Sequence, residues 1–287
     1  MKNKILSFVL ALCLIIPCAL MFTGCNDNDP KPDTRTWAEL AVDVSDAVDG
    51  VITIETAAEL AGVAKAVNEG TTYEGVTIEL ANDIDLQNRE WTPIGYGTYS
   101  NGTDTVNGYV FSGIFDGKEY TIKNLKVTKF NKGGAEEGTS SGVGLFGNVL
   151  NCIIRHVKVV NAQVEANHYV AVIAGFGATA IIDDCKVVNA TINCVFANTD
   201  ESGDKAGLII GYVGSSKHGT SLITNCVGEN STVKADRDAG QLIGSMAKAG
   251  SQTENTATNV TVSWNQSGST AGKSNTNITN DICGRVS

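Results

Sequence analysis

Short alternations of apolar and polar residues recur along most of the chain, and three of them align one above another. CIIRHVKVVNAQV begins at Cys152, AIIDDCKVVNATI at Ala180 and SLITNCVGENSTV at Ser221. A weaker copy, TENTATNV, begins at Thr253, and an early one, IKNLKV, at Ile122. Alternation over so few residues predicts half-buried strands, and the valine, isoleucine and threonine content suits a pleated surface. No copy can bury its apolar face alone, so neighbouring copies must stack to make a core.

A second element accompanies the first: glycine or a substitute, apolar residues, then glycine. It reads GLFG at 144–147, VIAG at 172–175, LIIG at 208–211, QLIG at 241–244 and DICG at 281–284. The final glycines are 28, 36, 33 and 40 residues apart. Uneven steps between similar strands predict a regular frame with connections of variable length outside it. The aligned copies predict one inward column of Leu125, Val157, Cys185, Cys226 and Thr256. Two residues on comes another, of Val127, Val159, Val187, Gly228 and Thr258. Ahead of the first column stands Asn124, His156, Asp184, Asn225 or Asn255, types that hydrogen-bond backbone at bends. The expected fold is all-β, a parallel β-solenoid over residues 111–287 with rungs about 4.8 Å apart.

An open rung edge invites pairing with other chains, and residues 37–110 are suited to cover one end. Val51 to Glu55 is strand-like. Thr56 and Glu59 then make a capping box, in which the threonine oxygen accepts from the Glu59 amide and the carboxylate reaches back. Leu60, Val63, Ala64 and Val67 share one helical face, and Gly70 is placed to end the helix. These signals predict one capping helix over 57–68, laid on the first rung. Ser263 to Asn280 is rich in serine, threonine, asparagine and glycine, which predicts a long loop before a last strand at Ile282.

The glycine-framed element with its trailing strand resembles the GLUG repeat of bacterial surface proteins. Upstream strings resemble the region that commonly precedes it: TAAELAGVAKAVN, ELANDIDL, WTPIG at Trp91–Gly95 and FSGIFDGKEYTIKNLKV from Phe111. The likeness covers about residues 51–262, although VIAG, QLIG and DICG lack the first glycine or the leucine. It implies a right-handed β-helix on the cell surface. It implies little about activity, because such repeats occur as accessory regions, including in some bacterial proteases, and no zinc-protease motif is present.

The start of the chain adds a destination. Lys2 and Lys4 precede an apolar run from Ile5 to Phe22, broken by Pro17 and followed by Thr23-Gly24-Cys25. A basic, an apolar and then a small-residue segment predict a signal peptide over 1–24. A spanning helix is the competing reading, but no basic stop-transfer cluster follows. FTGC resembles the lipobox of bacterial lipoproteins, with Phe22 where leucine is usual. The resemblance implies a diacylglyceryl group on Cys25, and two acyl chains suffice for stable anchoring. Residues 25–36 then read as a polar linker.

Charge and cysteine content narrow the partners. The net charge of −10 becomes −12 once Lys2 and Lys4 leave with the leader, which argues against nucleic acid and anionic lipid. Cys152, Cys185, Cys194, Cys226 and Cys283 form neither a close-paired disulfide framework nor a metal spacing; a ladder of free thiols at Cys185 and Cys226 is expected. Asp83 and Asp85 would share a strand face and suit a cap-to-rung role better than metal binding or catalysis. Asp183 and Asp184 would point to opposite sides of a strand. His156, His168 and His218 lack zinc-site spacing. No catalytic set, metal site or cofactor is expected. Tyr96, Tyr99 and Tyr109, with Phe111, flank the polar segment 97–108. They either form a sugar-binding platform or pack a hairpin on the first rung.

The function expected from these features is non-enzymatic: a lipid-anchored, extracytoplasmic β-solenoid for binding or adhesion, held to the membrane through Cys25. A host or matrix glycan or protein is the expected ligand class. A carbohydrate-active enzyme, lyase or glycosidase, is the alternative that paired carboxylates would favour, and a passive spacer is the third.

Overall fold

The computed structural model describes residues 33–100, 105–129, 142–194, 204–214, 219–248, 250–264 and 277–286. Cys25 and the leader lie outside them. The chain is a parallel β-helix. Among the described residues its strands form four stacked parallel sheets and one two-stranded antiparallel hairpin.

One rung shows the construction. Ile153–Arg155 belongs to the first sheet, Lys158–Val160 and Gln163–Ala166 to the second, Tyr169–Val170 to the third and Ala174–Ala178 to the fourth. The next rung repeats it with Ile181–Asp183, Lys186–Val188, Thr191–Cys194, Lys205–Ala206 and Ile210–Val213. Registers are one to one, as in Val159 facing Val187 and Val164 facing Ile192. Alternate residues enter the core: Ile154, Val159, Val164, Ile182, Val187 and Ile192 are all fully buried. Phe111, Phe146 and Phe115 fill the early interior, with successive ring centroids 5.2 Å apart.

The bends between strands are left-handed. His156, Asp184, Asn225 and Glu254 follow the first-sheet strands at φ 53°, 47°, 54° and 56°. Asn124, Asn161 and Asn189 follow the next strands at φ 56–60°, and Asn230 and Asn259 take φ 49° and 53° at the equivalent place inside the longer strands Val227–Ala235 and Thr256–Trp264. Asparagine tolerates this conformation better than most residues. Its amides also stack: Asn189 Nδ2 donates to Asn161 Oδ1 at 3.4 Å and Asn259 Nδ2 to Asn230 Oδ1 at 3.1 Å.

The final glycine of the repeated element has a packing reason. A Cβ on Gly175 would lie 2.0 Å from Val143 N, and one on Gly211 would lie 2.6 Å from Val170 N. Each such glycine lets the fourth-sheet strand lie against the short third-sheet strand of the preceding rung.

Two parts of the expected register are corrected. Ile122, not Val127, pairs with Val159, while Val127 pairs with Val164. Lys126 therefore faces Gln163, and Leu125 stands in line with Ala162 rather than Val157. At the other end Thr256 pairs with Val227, which puts Asn255 in line with Cys226. Asn255 serves there by hydrogen bonding: its Oδ1 accepts from Cys226 N at 2.9 Å and its Nδ2 donates to Ile223 O at 2.8 Å.

Among the described residues the cap has two helices rather than one. The helix Ala57–Asn68 has the Thr56–Glu59 capping box and buries Leu60, Val63, Ala64 and Val67. A short helix, Trp37–Leu40, has a second capping box at Thr36 and Glu39 and buries Trp37, whose indole N–H donates to Leu86 O. Near the C-terminus the last strand is Asn277–Ile278, and Cys283 bridges to Ile243. Ile282 is only partly buried beside it.

Candidate functional site

Connections between the second and third sheets all leave one corner of the solenoid, and their lengths alternate. Two rungs turn tightly, through Asn167 and His168 and through Asp236 and Arg237. On the rungs around them the corresponding connections are residues 128–141, 195–204 and 265–276. Long and short corners therefore interleave along one edge. Elsewhere on the rungs most bends are short, with residues 117–120 and 214–221 as longer connections.

This corner is polar inside. Asp204, where the chain returns to its rung, is 2% exposed, and its Oδ1 accepts from the His168 amide at 3.0 Å. Its Oδ2 and the Oδ1 of Asn167 are buried without a hydrogen-bond partner. Burial pushes the Asp204 carboxyl up to about 7; the His168 amide opposes the rise and the Asp236 charge adds to it. Its neighbour Lys205 is pulled down to about 8 by burial, with Asp238 opposing. The Lys205 ammonium lies 4.8 Å from the Tyr169 ring centroid and 4.4 Å from that of Tyr212. Tyr169, Phe176 and Tyr212 form a small apolar cluster separate from the main core. The arrangement joins a cation held on aromatic faces to a buried acid, beside the connections that vary most.

The residues singled out from sequence fall elsewhere. Tyr96 and Tyr109 flank the hairpin formed by Gly97–Ser100 and Thr105–Gly108. Their rings meet edge-on at 5.6 Å, and each residue is 37% exposed. Tyr96 also borders a cleft of about 240 Å³ with Trp37, Trp91 and Asn68. The Tyr99 side chain lies outside the described residues. Asp83 and Asp85 do share a face, and both tie the cap to the next rung. Asp83 accepts from Thr121 N and pairs with Lys123 at 2.8 Å, while Asp85 accepts from Asn124 Nδ2 at 2.8 Å.

The fold also brings together residues that sequence spacing kept apart. Glu119, His156 and Asp184 each offer a donor atom within 4.8 Å of the other two. The residues His156, Asp184 and Asn225 are visible as a column in the aligned repeats. Glu119 is not, because the early copy aligns one strand too far along and places Asn124 in its stead.

No family model matches the chain. No curated protein matches it. Among solved structures it is similar to a "putative immunoglobulin A1 protease from Bacteroides ovatus", at 15% identity over 88% of each chain and a TM-score of 0.38. A likeness this loose carries no inference about activity.

Proposed function

We propose that this chain is a lipid-anchored, cell-surface β-solenoid that binds through its loop-bearing corner and has no catalytic role. The observation behind this reading is the recurrence of long connections on one edge, residues 128–141, 195–204 and 265–276, over tight turns on the rungs between. A scaffold that repeatedly lengthens its chain at the same corner offers a variable surface on a fixed frame, as loops on rigid supports do. The glycine-framed repeats, which resemble those of bacterial surface proteins, and the FTGC string at Cys25 support the location. The engagement of Asp83 and Asp85 in cap-to-rung hydrogen bonds supports a structural rather than a hydrolytic use of those carboxylates.

The test joins two measurements. Residues 26–287 are applied to glycan and extracellular-protein arrays beside a variant in which 195–203 are deleted, so that the rung turns about as tightly as its neighbours. Binding by the parent and loss by the variant, with both melting at similar temperatures, supports the reading. Retained binding moves the site elsewhere, with Tyr96 and Tyr109 next to be substituted. For the anchor, Cys25→Ala should release the protein from the membrane fraction or leave it unprocessed. Unchanged lipid labelling would refute the anchor.

A further inference from the structure

Glu119, His156 and Asp184 come from three successive rungs and meet at the edge where each rung leaves the first sheet. Glu119 follows the strand Ile114–Asp116, His156 follows Ile153–Arg155 and Asp184 follows Ile181–Asp183. One side-chain donor from each lies within 4.8 Å of the other two. A tetrahedral ion with bonds of about 2.0–2.2 Å holds its donors ~3.4 Å apart, so a modest side-chain rotation closes the set. Glu119 and Asp184 are exposed and free to make it.

A residue outside the trio gives the cluster a direction. His156 Nδ1 lies 3.0 Å from Asp116 Oδ1. Asp116 is 3% exposed and is itself fixed, by Arg155 Nε at 2.8 Å and by the Lys118 amide at 2.9 Å. A carboxylate that is held this way accepts from Nδ1–H and leaves the imidazole lone pair on Nε2. Metal-bound histidines are held in the same manner, by a carboxylate on the ring nitrogen away from the ion. The same kind of contact recurs two rungs on, where Asn225 Nδ2 donates to Asp183 Oδ1 at 2.8 Å, but only histidine brings a second ring nitrogen that can reach toward Glu119 and Asp184.

We propose that Glu119, His156 and Asp184 form a site for a first-row divalent metal ion. His156 binds through Nε2, the two carboxylates bind through oxygen, and water fills the remaining positions. One nitrogen and two carboxylate donors suit Zn²⁺, Co²⁺ or Ni²⁺, whereas Ca²⁺ takes six to eight oxygens. Two carboxylates also balance the charge of the ion. A bound ion would clamp three rungs together at this edge.

The test uses the full chain purified in detergent without a histidine tag and freed of metal by chelation. Zn²⁺ is titrated by calorimetry, and Co²⁺ by its visible absorption. The expected result is one ion per chain, an absorption band marking nitrogen and oxygen ligands, and a melting temperature that rises with Zn²⁺. His156→Asn copies the residue used at the same bend two rungs on, so it keeps the fold, and it should abolish the site. Glu119→Gln should weaken binding, and Asp116→Asn should weaken it by about 10–100-fold with stoichiometry unchanged. Absence of stoichiometric binding, or binding unaffected by His156→Asn, would overturn the proposal.

Discussion

Cys185 and Cys226 occupy the same place on consecutive rungs, and each thiol lies between a carbonyl of its own rung, Asp183 O at 3.4 Å or Thr224 O at 3.2 Å, and one of the rung before. Cys185 Sγ lies 3.8 Å from Ile154 O, and Cys226 Sγ lies 3.7 Å from Ile182 O. Both are free and buried, as are Cys152 and Cys194. Burial raises the Cys185 and Cys194 thiols well above their usual range and Cys152 to about 12. A thiolate is the reactive species, and burial keeps a reagent away from all four, so none should react with a thiol reagent at pH 8 in the native protein. All four should react once the chain is unfolded. Rapid native labelling of any of them would contradict this packing.

Val157 precedes Cys185 in that same inward position and is 1% exposed. Val157→Asp buries a carboxylate with no partner and should cost about 3 kcal/mol or more. Val48, 73% exposed, supplies the control, since Val48→Asp should melt within a degree or two of the parent. Denaturant unfolding checks both. Equal midpoints for the two variants would mean that Val157 does not face the core.

The asparagine bends separate backbone from side-chain effects. Asn189 has φ 56° and donates to Asn161 Oδ1. Asn189→Ala loses that amide contact and must hold a left-handed backbone, at a combined cost of about 1–2 kcal/mol. Asn189→Gly loses the same contact but is at ease with positive φ, so it should cost less than alanine. Thermal unfolding orders the three. A glycine variant less stable than the alanine one would place the weight on side-chain hydrogen bonding instead.

Much of this frame was legible because the repeats print it twice, once as alternation and once as the final glycine. The helix 57–68 was legible from the capping box at Thr56 and Glu59, and the thiol pair from the aligned copies. The short helix Trp37–Leu40 carries the same box at Thr36 and Glu39, but four residues give no periodicity to notice. The early register was lost for a steric reason: four residues, 117–120, separate the strands ending at Asp116 and beginning at Thr121, where the next rung uses only His156 and Val157. Alignment of similar strings cannot register such an insertion, so Glu119 never joined His156 and Asp184. Polar burial at Asp204 was invisible too, since nothing local distinguishes that aspartate from those in exposed turns.

Asp204 gives a pH dependence of unusual sign. Its carboxyl is raised to about 7, with burial the leading cause, from an ordinary value of 3.8. Between those values the folded chain holds a proton that the unfolded chain has released. Stability therefore falls as pH rises through that window and levels off above about 7. Three pKa units set an upper limit of about 4 kcal/mol at neutral pH, and relaxation of the corner reduces it. Asp204→Asn keeps an acceptor for the His168 amide and removes the charge. The variant should be more stable than the parent at pH 8, and the two should converge as pH falls toward 4. Melting temperatures measured across that range test this directly, because other titrating groups are common to both proteins and cancel in the difference. Parallel curves would mean that Asp204 titrates as an exposed carboxylate, and that the corner is open to water at its base.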